Sequence, residues 1–238
     1  MTSEEIRQSK KELRRTIRRQ LKELAPEQLR RESQAVSAAF CRLPEWSASR
    51  DVLLFLSMSG EIDTTGLLQA AIDSGKRVWS PRMHGREMEF HLIWNGEHTG
   101  AEGATDTKAT DGAHSSVPPD RAPPLSFLDL RYNPYGIWEP QNSAPKFGDI
   151  VELGPEDRCI MATPGLAFDR SGGRLGRGKA YYDKWQSRHN ELIESGRLVP
   201  VGIGFTPQLV EEVPCDENDK NLPQLIIGGV HIRCSQPG

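Results

Sequence analysis

Apolar residues recur at helical spacing near the start of the chain. Leu13, Ile17 and Leu21 lie three to four positions apart within residues 4–24, which predicts an amphipathic helix. A second helix is predicted over residues 26–41, because its first residue is Pro, which is favoured in a first helical turn. We therefore expect a helical hairpin at the amino terminus.

Short apolar runs alternate with helical patterns along the rest of the chain. Residues 51–57 (DVLLFLS) are typical of a strand covered on both faces, residues 64–74 of a helix, and residues 76–80 of the next strand. Further strands are predicted at 88–94, 158–163, 199–205 and 225–232, and a further helix at 179–195. Strand–helix–strand order implies parallel pairing, so we expect a three-layer α/β/α fold with a mainly parallel sheet.

Residues 96–121 interrupt this alternation. Val117 is their only apolar side chain larger than alanine, while Gly, Thr, Asp and Ser dominate. Such a segment cannot bury enough apolar surface to order itself, so we predict a disordered surface insertion. The whole chain, 1–238, is expected to form a single domain.

Charge is distributed unevenly along the 238 residues. The net charge is −3, yet residues 1–31 hold ten Lys/Arg against five acidic residues, a local excess of +5. The four cysteines show no C-x-x-C pair or zinc-ligand spacing and are expected to be reduced thiols. No apolar stretch has the length of a signal core or a membrane span, so a cytoplasmic protein without membrane association is expected.

Glycines and cations are concentrated in residues 163–183, TPGLAFDRSGGRLGRGKAYYD. Five glycines and the cations Arg174, Arg177 and Lys179 precede a predicted helix start, where free N–H groups and the helix dipole favour an anion. Phosphate is the expected ligand. Residues 173–179 match the G-x4-G-K part of a Walker loop, but Ala180 stands where Ser or Thr would bind the metal, so we reject a true Walker loop.

Two other interpretations bear on this segment. A bound metal would need carboxylates, for which Asp183 and Asp219 are candidates. Alternatively, the segment is a solvated Arg-rich turn, with Tyr181, Tyr182 and Trp185 as ordinary core aromatics.

The first helix carries cations on two faces. At about 100° per residue, Lys10 and Arg14 fall within the apolar stripe. Cations on a core-facing side need an anionic partner, which could be a bound phosphate or a buried carboxylate. The cations that point away from the stripe are expected to be solvated; they are Lys11, Arg15, Arg19 and Lys22.

These residues together resemble the 5-formyltetrahydrofolate cyclo-ligase family. The most specific part is PGLAFDRSGGRLGRGKAYYD, supported by the K-x3-R pair of the first helix, FLSMSGEIDT, NPYGIWEP and VPCDENDKN. The resemblance spans nearly the full length. It implies the three-layer fold and a reaction in which ATP and 5-formyltetrahydrofolate give ADP, phosphate and 5,10-methenyltetrahydrofolate, with Mg²⁺ required.

The resemblance also implies site residues. The ATP contacts would be Lys10, Arg14, Arg174, Leu175, Gly176, Arg177, Gly178, Lys179, Ala180, Tyr181 and Tyr182. The folate contacts would be Leu56, Glu61, Trp138 and Tyr182. The Mg²⁺ carboxylates would be Asp183 and Asp219, and Arg177 and Lys179 would neutralise the phosphoryl charge during catalysis.

One residue of the loop departs from the family pattern. Ala180 occupies a position where the family often has Gly, and we expect tolerance because Ala is a good helix former. The insertion at 96–121 is also longer than expected for the family and has no assigned role.

Three functions are distinguished at this point. The leading one is the folate cyclo-ligase, a monomer whose folate substrate carries either one glutamate or a polyglutamate tail. A second is another ATP-dependent enzyme on the same scaffold with a different small molecule. A third is nucleic-acid binding through the basic first helix, which the overall negative charge disfavours.

Overall fold

A computed structural model describes residues 2–96, 130–132, 138–150, 157–216 and 219–235. The helices are α1 Ser3–Lys22, α2 Pro26–Phe40, α3 Pro44–Ala48, α4 Thr65–Asp73, α5 Phe147–Ile150, α6 Tyr181–Arg188 and α7 Asn190–Glu194. The strands are β1 Asp51–Leu53, β2 Arg77–His84, β3 Glu87–Trp94, β4 Leu130–Tyr132, β5 Trp138–Pro140, β6 Cys159–Pro164, β7 Ala167–Phe168, β8 Arg174–Leu175, β9 Leu198–Gly204, β10 Gln224–Ile227 and β11 Val230–Arg233. The predicted insertion at 96–121 lies outside the described residues, apart from Gly96.

A seven-stranded sheet forms the centre of the fold, in the order β11-β10-β9-β6-β1-β2-β3. The five inner strands run parallel, and the two edge strands β3 and β11 run antiparallel. Side chains of the inner strands alternate between two apolar clusters, so Val52 faces one and Leu53 the other. Helices α1, α2 and α4 cover the first face and α6 the second. The expected three-layer fold with a mainly parallel sheet is confirmed.

The amino-terminal hairpin forms as the apolar spacing predicts. Thr2 and Glu5 make reciprocal capping hydrogen bonds at the start of α1, and Ile17 and Leu21 are buried in the core. Pro26 begins α2, as expected. The four outward cations of α1 are exposed. No helix in the described part of the chain is long and apolar enough to cross a bilayer, and all four cysteines are free.

Three predicted elements differ from the structure. The strand predicted at 51–57 is regular only over β1, followed by one more backbone hydrogen bond, from the Leu54 N–H to the Trp79 carbonyl oxygen. The helix predicted at 179–195 starts at Tyr181 and breaks at His189, whose ring instead stacks on Trp185 with ring centroids 3.9 Å apart. The strand predicted at 225–232 is a hairpin, because Gly228 and Gly229 both adopt positive φ (+57° and +92°) and reverse the chain.

Candidate functional site

The glycine-rich loop, residues 172–180, includes the short strand β8 and leads into α6. Its first two glycines pack against protein atoms. A Cβ on Gly172 would overlap the Leu222 carbonyl oxygen, and one on Gly173 would overlap the Asp169 carboxylate. These two glycines are therefore required for close internal packing, so the expectation that glycines admit an anion does not hold at Gly172 and Gly173.

The later glycines of this loop have different surroundings. The atoms nearest to the Cβ position of Gly176 and of Gly178 belong to the guanidinium groups of Arg174, at 3.3 Å, and Arg14, at 3.7 Å. An anion approaching the backbone at either glycine would therefore meet a fixed positive charge. The short strand β8 interrupts the loop, and α6 begins two residues after Lys179, which agrees with the rejection of a Walker loop.

An outer cleft of about 570 Å³ lies between α1 and the glycine-rich loop, and Lys10, Arg14, Gly178 and Asp216 contribute to its lining. Lys10 Nζ binds the carboxylates of Asp216, at 2.6 Å, and Asp219, at 2.5 Å. Burial lowers the pKa of Lys10, but the hydrogen bonds to these two carboxylates outweigh it and the pKa is raised. Of the two partners considered for the inward cations, a carboxylate is the one found for Lys10.

Arg14 has a different environment from Lys10. Its Nε donates a 2.9 Å hydrogen bond to the Gly176 carbonyl oxygen, which ties α1 to the glycine-rich loop. Burial and the neighbouring Arg18 lower the pKa of Arg14. An Arg stays charged regardless, and Arg14 has no ion-pair partner in the described part of the chain. The outer cleft therefore offers an anion a positioned guanidinium group.

An inner pocket of about 260 Å³ is also lined by residues of the glycine-rich loop. It brings together all four predicted folate residues with cations and an acid of the glycine-rich segment. The predicted residues that line it are Leu56, Glu61, Trp138, Arg174, Gly176, Arg177, Lys179, Ala180, Tyr181, Tyr182 and Asp183. Residues more than a hundred positions apart in sequence thus share one cavity, because parallel strands end at the same edge of the sheet.

Two buried polar atoms of inner-pocket residues have no hydrogen-bond partner. Arg174 binds Asp183 Oδ1 at 2.5 Å and the Pro164 carbonyl at 3.1 Å, yet its Nε is unpaired. The Tyr182 hydroxyl is also unpaired, and burial strongly raises its pKa, so it stays protonated. Buried polar groups are nearly always satisfied, so these two atoms are candidates for hydrogen bonds to a ligand in the pocket.

Glu61 and Arg177 join the two sides of the inner pocket. Glu61 Oε1 accepts hydrogen bonds from Arg177 Nη2 at 2.8 Å and Nε at 3.2 Å, while Oε2 accepts one from the Met58 N–H at 3.0 Å. In contrast, Lys179 has no ion-pair partner within the ranges that the structure describes. Its charge is therefore available to a ligand that enters the pocket.

The two predicted metal carboxylates lie in different ion pairs. Asp183 binds Arg174 in the inner pocket, whereas Asp219 binds Lys10 beside the outer cleft. Among the described residues, no three His, Cys, Asp or Glu side chains converge as a metal cage. Mg²⁺ commonly takes only one or two carboxylates and completes its shell with phosphates and water, so the donor set fits a metal that arrives with a nucleotide.

Two residues of the loop differ from what the sequence suggested. Ala180 precedes α6 in the left-handed conformation, with φ +53° and ψ +25°, so the argument from helix propensity is wrong. A left-handed residue favours glycine, so the alanine at this position carries a backbone strain that Gly would not. The Leu175 side chain is buried in the main core and lines neither cavity.

Part of the pocket wall was not predicted from the sequence. Pro81 and Met83 line the inner pocket from β2, where their period-two spacing could have placed them on one face. Asp169 was also missed, although a DRSGG segment is typical of a turn closed by an Asp side chain.

Comparisons with known proteins agree on one family. The sequence profile of the 5-formyltetrahydrofolate cyclo-ligase family matches residues 6–228. The chain is 26% identical over 227 residues to a probable 5-formyltetrahydrofolate cyclo-ligase of Caenorhabditis elegans, covering 95% of this chain and 96% of the relative. It is 28% identical over 214 residues to the 5-formyltetrahydrofolate cyclo-ligase of Escherichia coli K12, covering 88% and 95%.

A solved structure supports the same fold. The 5,10-methenyltetrahydrofolate synthetase of Aquifex aeolicus superposes with a TM-score of 0.65 at 24% identity, covering 96% of this chain and 94% of that chain. The resemblance inferred from the sequence motifs is thereby confirmed. Since the family profile extends across nearly the whole sequence, the chain belongs to the 5-formyltetrahydrofolate cyclo-ligase family.

Proposed function

We propose that this protein converts 5-formyltetrahydrofolate to 5,10-methenyltetrahydrofolate, with ATP converted to ADP and phosphate. Family membership supports this reaction, and one observation about the site carries it further. The glycine-rich loop contributes Gly178 to a cationic outer cleft, and Gly176, Arg177 and Lys179 to an inner pocket with apolar walls. A nucleotide in the outer cleft would place its terminal phosphate beside a folate in the inner pocket.

The chemistry requires activation of a poor leaving group. The formyl oxygen attacks the γ-phosphorus, the bond from that phosphorus to the bridging oxygen breaks, and ADP leaves. N10 of the folate then attacks the activated formyl carbon and gives up its proton to solvent, and phosphate departs with the former formyl oxygen. The protein has to align the reactants and stabilise phosphoryl charge, which suits Arg177 and Lys179 in the wall of the inner pocket, on either side of Gly178 of the outer cleft.

On the nucleotide side, we assign phosphate contacts to Arg14, the backbone at Gly176 and Gly178, and the cations of the loop. Arg14 already touches the loop, and it has no ion-pair partner among the described residues. Lys10 is held by two carboxylates, so it would contact phosphate by sharing its donors.

On the folate side, the inner pocket offers matching groups. Leu56 and Trp138 provide apolar surface for a pterin ring, and the Tyr182 hydroxyl, buried and protonated, can donate a hydrogen bond. Glu61 can accept hydrogen bonds from pterin N–H groups once Arg177 turns to phosphate.

We also propose a requirement for Mg²⁺. Asp183 would hold the ion from the inner pocket, and Asp219 from beside the outer cleft. When bound, the ion would neutralise phosphate charge. We further propose that the protein acts as a monomer in the cytoplasm, where its four free thiols would remain reduced.

The decisive test is formation of the methenyl product, followed by its absorbance. Purified protein with Mg-ATP and 5-formyltetrahydrofolate should develop the methenyl absorbance, and the same mixture without ATP should not. If no methenyl product forms while ATP is hydrolysed with another acceptor, a different ATP-dependent reaction on this scaffold replaces the proposal. If ATP is not used and α1 binds nucleic acid in a salt-sensitive way, the third function gains support.

The assignment of the phosphate site has its own test. Lys179→Ala should lower turnover at least 100-fold because it removes a positive charge from the transferring group, an effect of about 3 kcal/mol. Arg19→Ala, on the exposed face of α1, is the matched control and should leave turnover unchanged. Equal activity in the two variants would contradict the assignment.

A further inference from the structure

Asp169 is a buried carboxylate outside both cavities. Its side chain lies just after β7, at the turn that leads into the glycine-rich loop, and only 3% of the residue is exposed. It has no salt-bridge partner among the described residues. All of its side-chain hydrogen bonds instead come from neutral donors.

The two carboxylate oxygens of Asp169 hold two different segments. Oδ1 accepts hydrogen bonds from the Ser171 N–H (2.9 Å), the Ser171 hydroxyl (2.6 Å) and the Gly173 N–H (2.9 Å), which close the turn before Arg174. Oδ2 accepts a 2.8 Å hydrogen bond from the N–H of Val213, which is 44 positions away. One side chain therefore joins the glycine-rich loop to the segment that begins at Val213.

That second segment, called segment 213–222 and described at residues 213–216 and 219–222, reaches both the loop and the outer cleft. Leu222 N–H donates a 2.9 Å hydrogen bond to the Gly172 carbonyl, and the segment carries Asp216 and Asp219, which hold Lys10 of α1. The outer cleft is thus framed by α1, the glycine-rich loop and segment 213–222. Asp169 and the Gly172 pairing fix the last two of these relative to each other.

We propose that Asp169 is a positioning residue for the nucleotide. It sets the spacing between the glycine-rich loop and segment 213–222, and so determines how Arg14, Gly178 and Lys10 converge on one phosphate chain. This inference rests on the proposed function for its ligand, ATP. The required glycine at position 173 supports it, because any side chain there would displace the carboxylate.

The variant Asp169→Asn separates the two roles of this side chain. Its carbonyl oxygen can remain where three donors converge, while its NH₂ group replaces Oδ2 and cannot accept from Val213 N–H. The turn is kept and the tether is broken. The matched control is Glu32→Gln, since Glu32 is equally buried and accepts from the N–H and hydroxyl of Thr206, away from both cavities.

The experiment measures the KM for Mg-ATP, the KM for folate, kcat, and the thermal midpoint of each variant, with ADP binding by calorimetry. Asp169→Asn should raise the KM for Mg-ATP and the Kd for ADP about 10-fold, one tenfold step being about 1.4 kcal/mol, and change the KM for folate less than 2-fold. Glu32→Gln should lower the thermal midpoint and leave both KM values unchanged. An unchanged KM for Mg-ATP in Asp169→Asn, or equal shifts in both KM values, would overturn the proposal.

Two further measurements keep the inference testable by itself. If wild-type protein forms no methenyl product, the proposed function fails, while ADP binding to wild type and Asp169→Asn still decides the positioning role. If Asp169→Asn does not fold, hydrogen exchange on the wild type replaces it. Mg-ADP should then slow exchange of the Gly173 and Val213 amides and leave that of Thr206 unchanged; an unaltered Val213 amide would refute the tether.

Discussion

The ion pair between Glu61 and Arg177 places a proposed folate contact and a proposed phosphate contact in the same interaction. Before any ligand binds, each group neutralises the other. A nucleotide that recruits Arg177 must break this pair, and Glu61 then becomes available to the folate. Glu61→Gln should therefore have opposite effects on the two ligands: tighter nucleotide binding and weaker folate binding.

The expected size follows from the geometry of the pair. The closest N–O distance is 2.8 Å, and the side chains are 12% exposed for Glu61 and 46% for Arg177. Solvent screening at such a half-exposed arginine limits the pair to about 0.2–1 kcal/mol. Removing the charge of Glu61 should therefore tighten nucleotide binding about 1.4- to 5-fold. Loss of a hydrogen bond to a charged group, about 1.5 kcal/mol or more, should weaken folate binding about 10-fold.

Calorimetry with a non-hydrolysable ATP analogue, on folate-free protein, measures the first effect. The tightening should shrink as salt is raised, since exposed ion pairs are screened. Glu87→Gln is the matched control, because Glu87 pairs with Arg188 on the protein surface away from both cavities, and its nucleotide affinity should match the wild type. A nucleotide Kd in Glu61→Gln that equals or exceeds the wild-type value would refute the reasoning, as would the same tightening in Glu87→Gln.

Three further predictions concern stability. Ala180→Gly should raise the free energy of unfolding, measured by urea titration, by about 0.5–1 kcal/mol. The left-handed backbone costs alanine about 1–2 kcal/mol, and the greater flexibility that Gly gives the unfolded chain offsets part of this gain. A lower free energy of unfolding would contradict the prediction. Gly173→Ala should lower it by about 2 kcal/mol or more through overlap with Asp169, whereas Gly148→Ala, with open space at its Cβ, should be neutral or stabilising; equal effects would refute the packing argument. Burial lowers the pKa of His189 below its ordinary value of 6.5. Below about pH 6.5 the unfolded state therefore binds the proton more readily, and the free energy of unfolding decreases as the pH is lowered. Urea titrations from pH 7 to 5 should show a smaller fall in His189→Phe, and an identical fall would exclude this role.

The sequence pattern predicted helices and strands correctly where a single residue type determines the local backbone conformation. Pro26 and the capping pair at Thr2 mark helix starts, and both helices of the hairpin are found. The hairpin at Gly228 was missed, since apolar residues continue on both sides of Gly228 and Gly229, from Leu225 to Ile232. The role of Ala180 was misjudged because helix propensity applies inside a helix, and the backbone at this residue lies outside it.

The sequence by itself determined the layered α/β fold, through its alternating apolar runs, and the chemistry of the site, through a motif that concentrates glycines and cations in one loop. Tertiary structure alone decided which glycines lie beside the guanidinium groups of Arg14 and Arg174 and which pack on Asp169 and Leu222, because that depends on atoms distant in sequence. It also decided that Lys10 is matched by carboxylates while Lys179 is left without an ion pair among the described residues. Whether a charge is compensated depends on its distance in space from opposite charges, and that distance is set only when folding brings distant segments of the chain together.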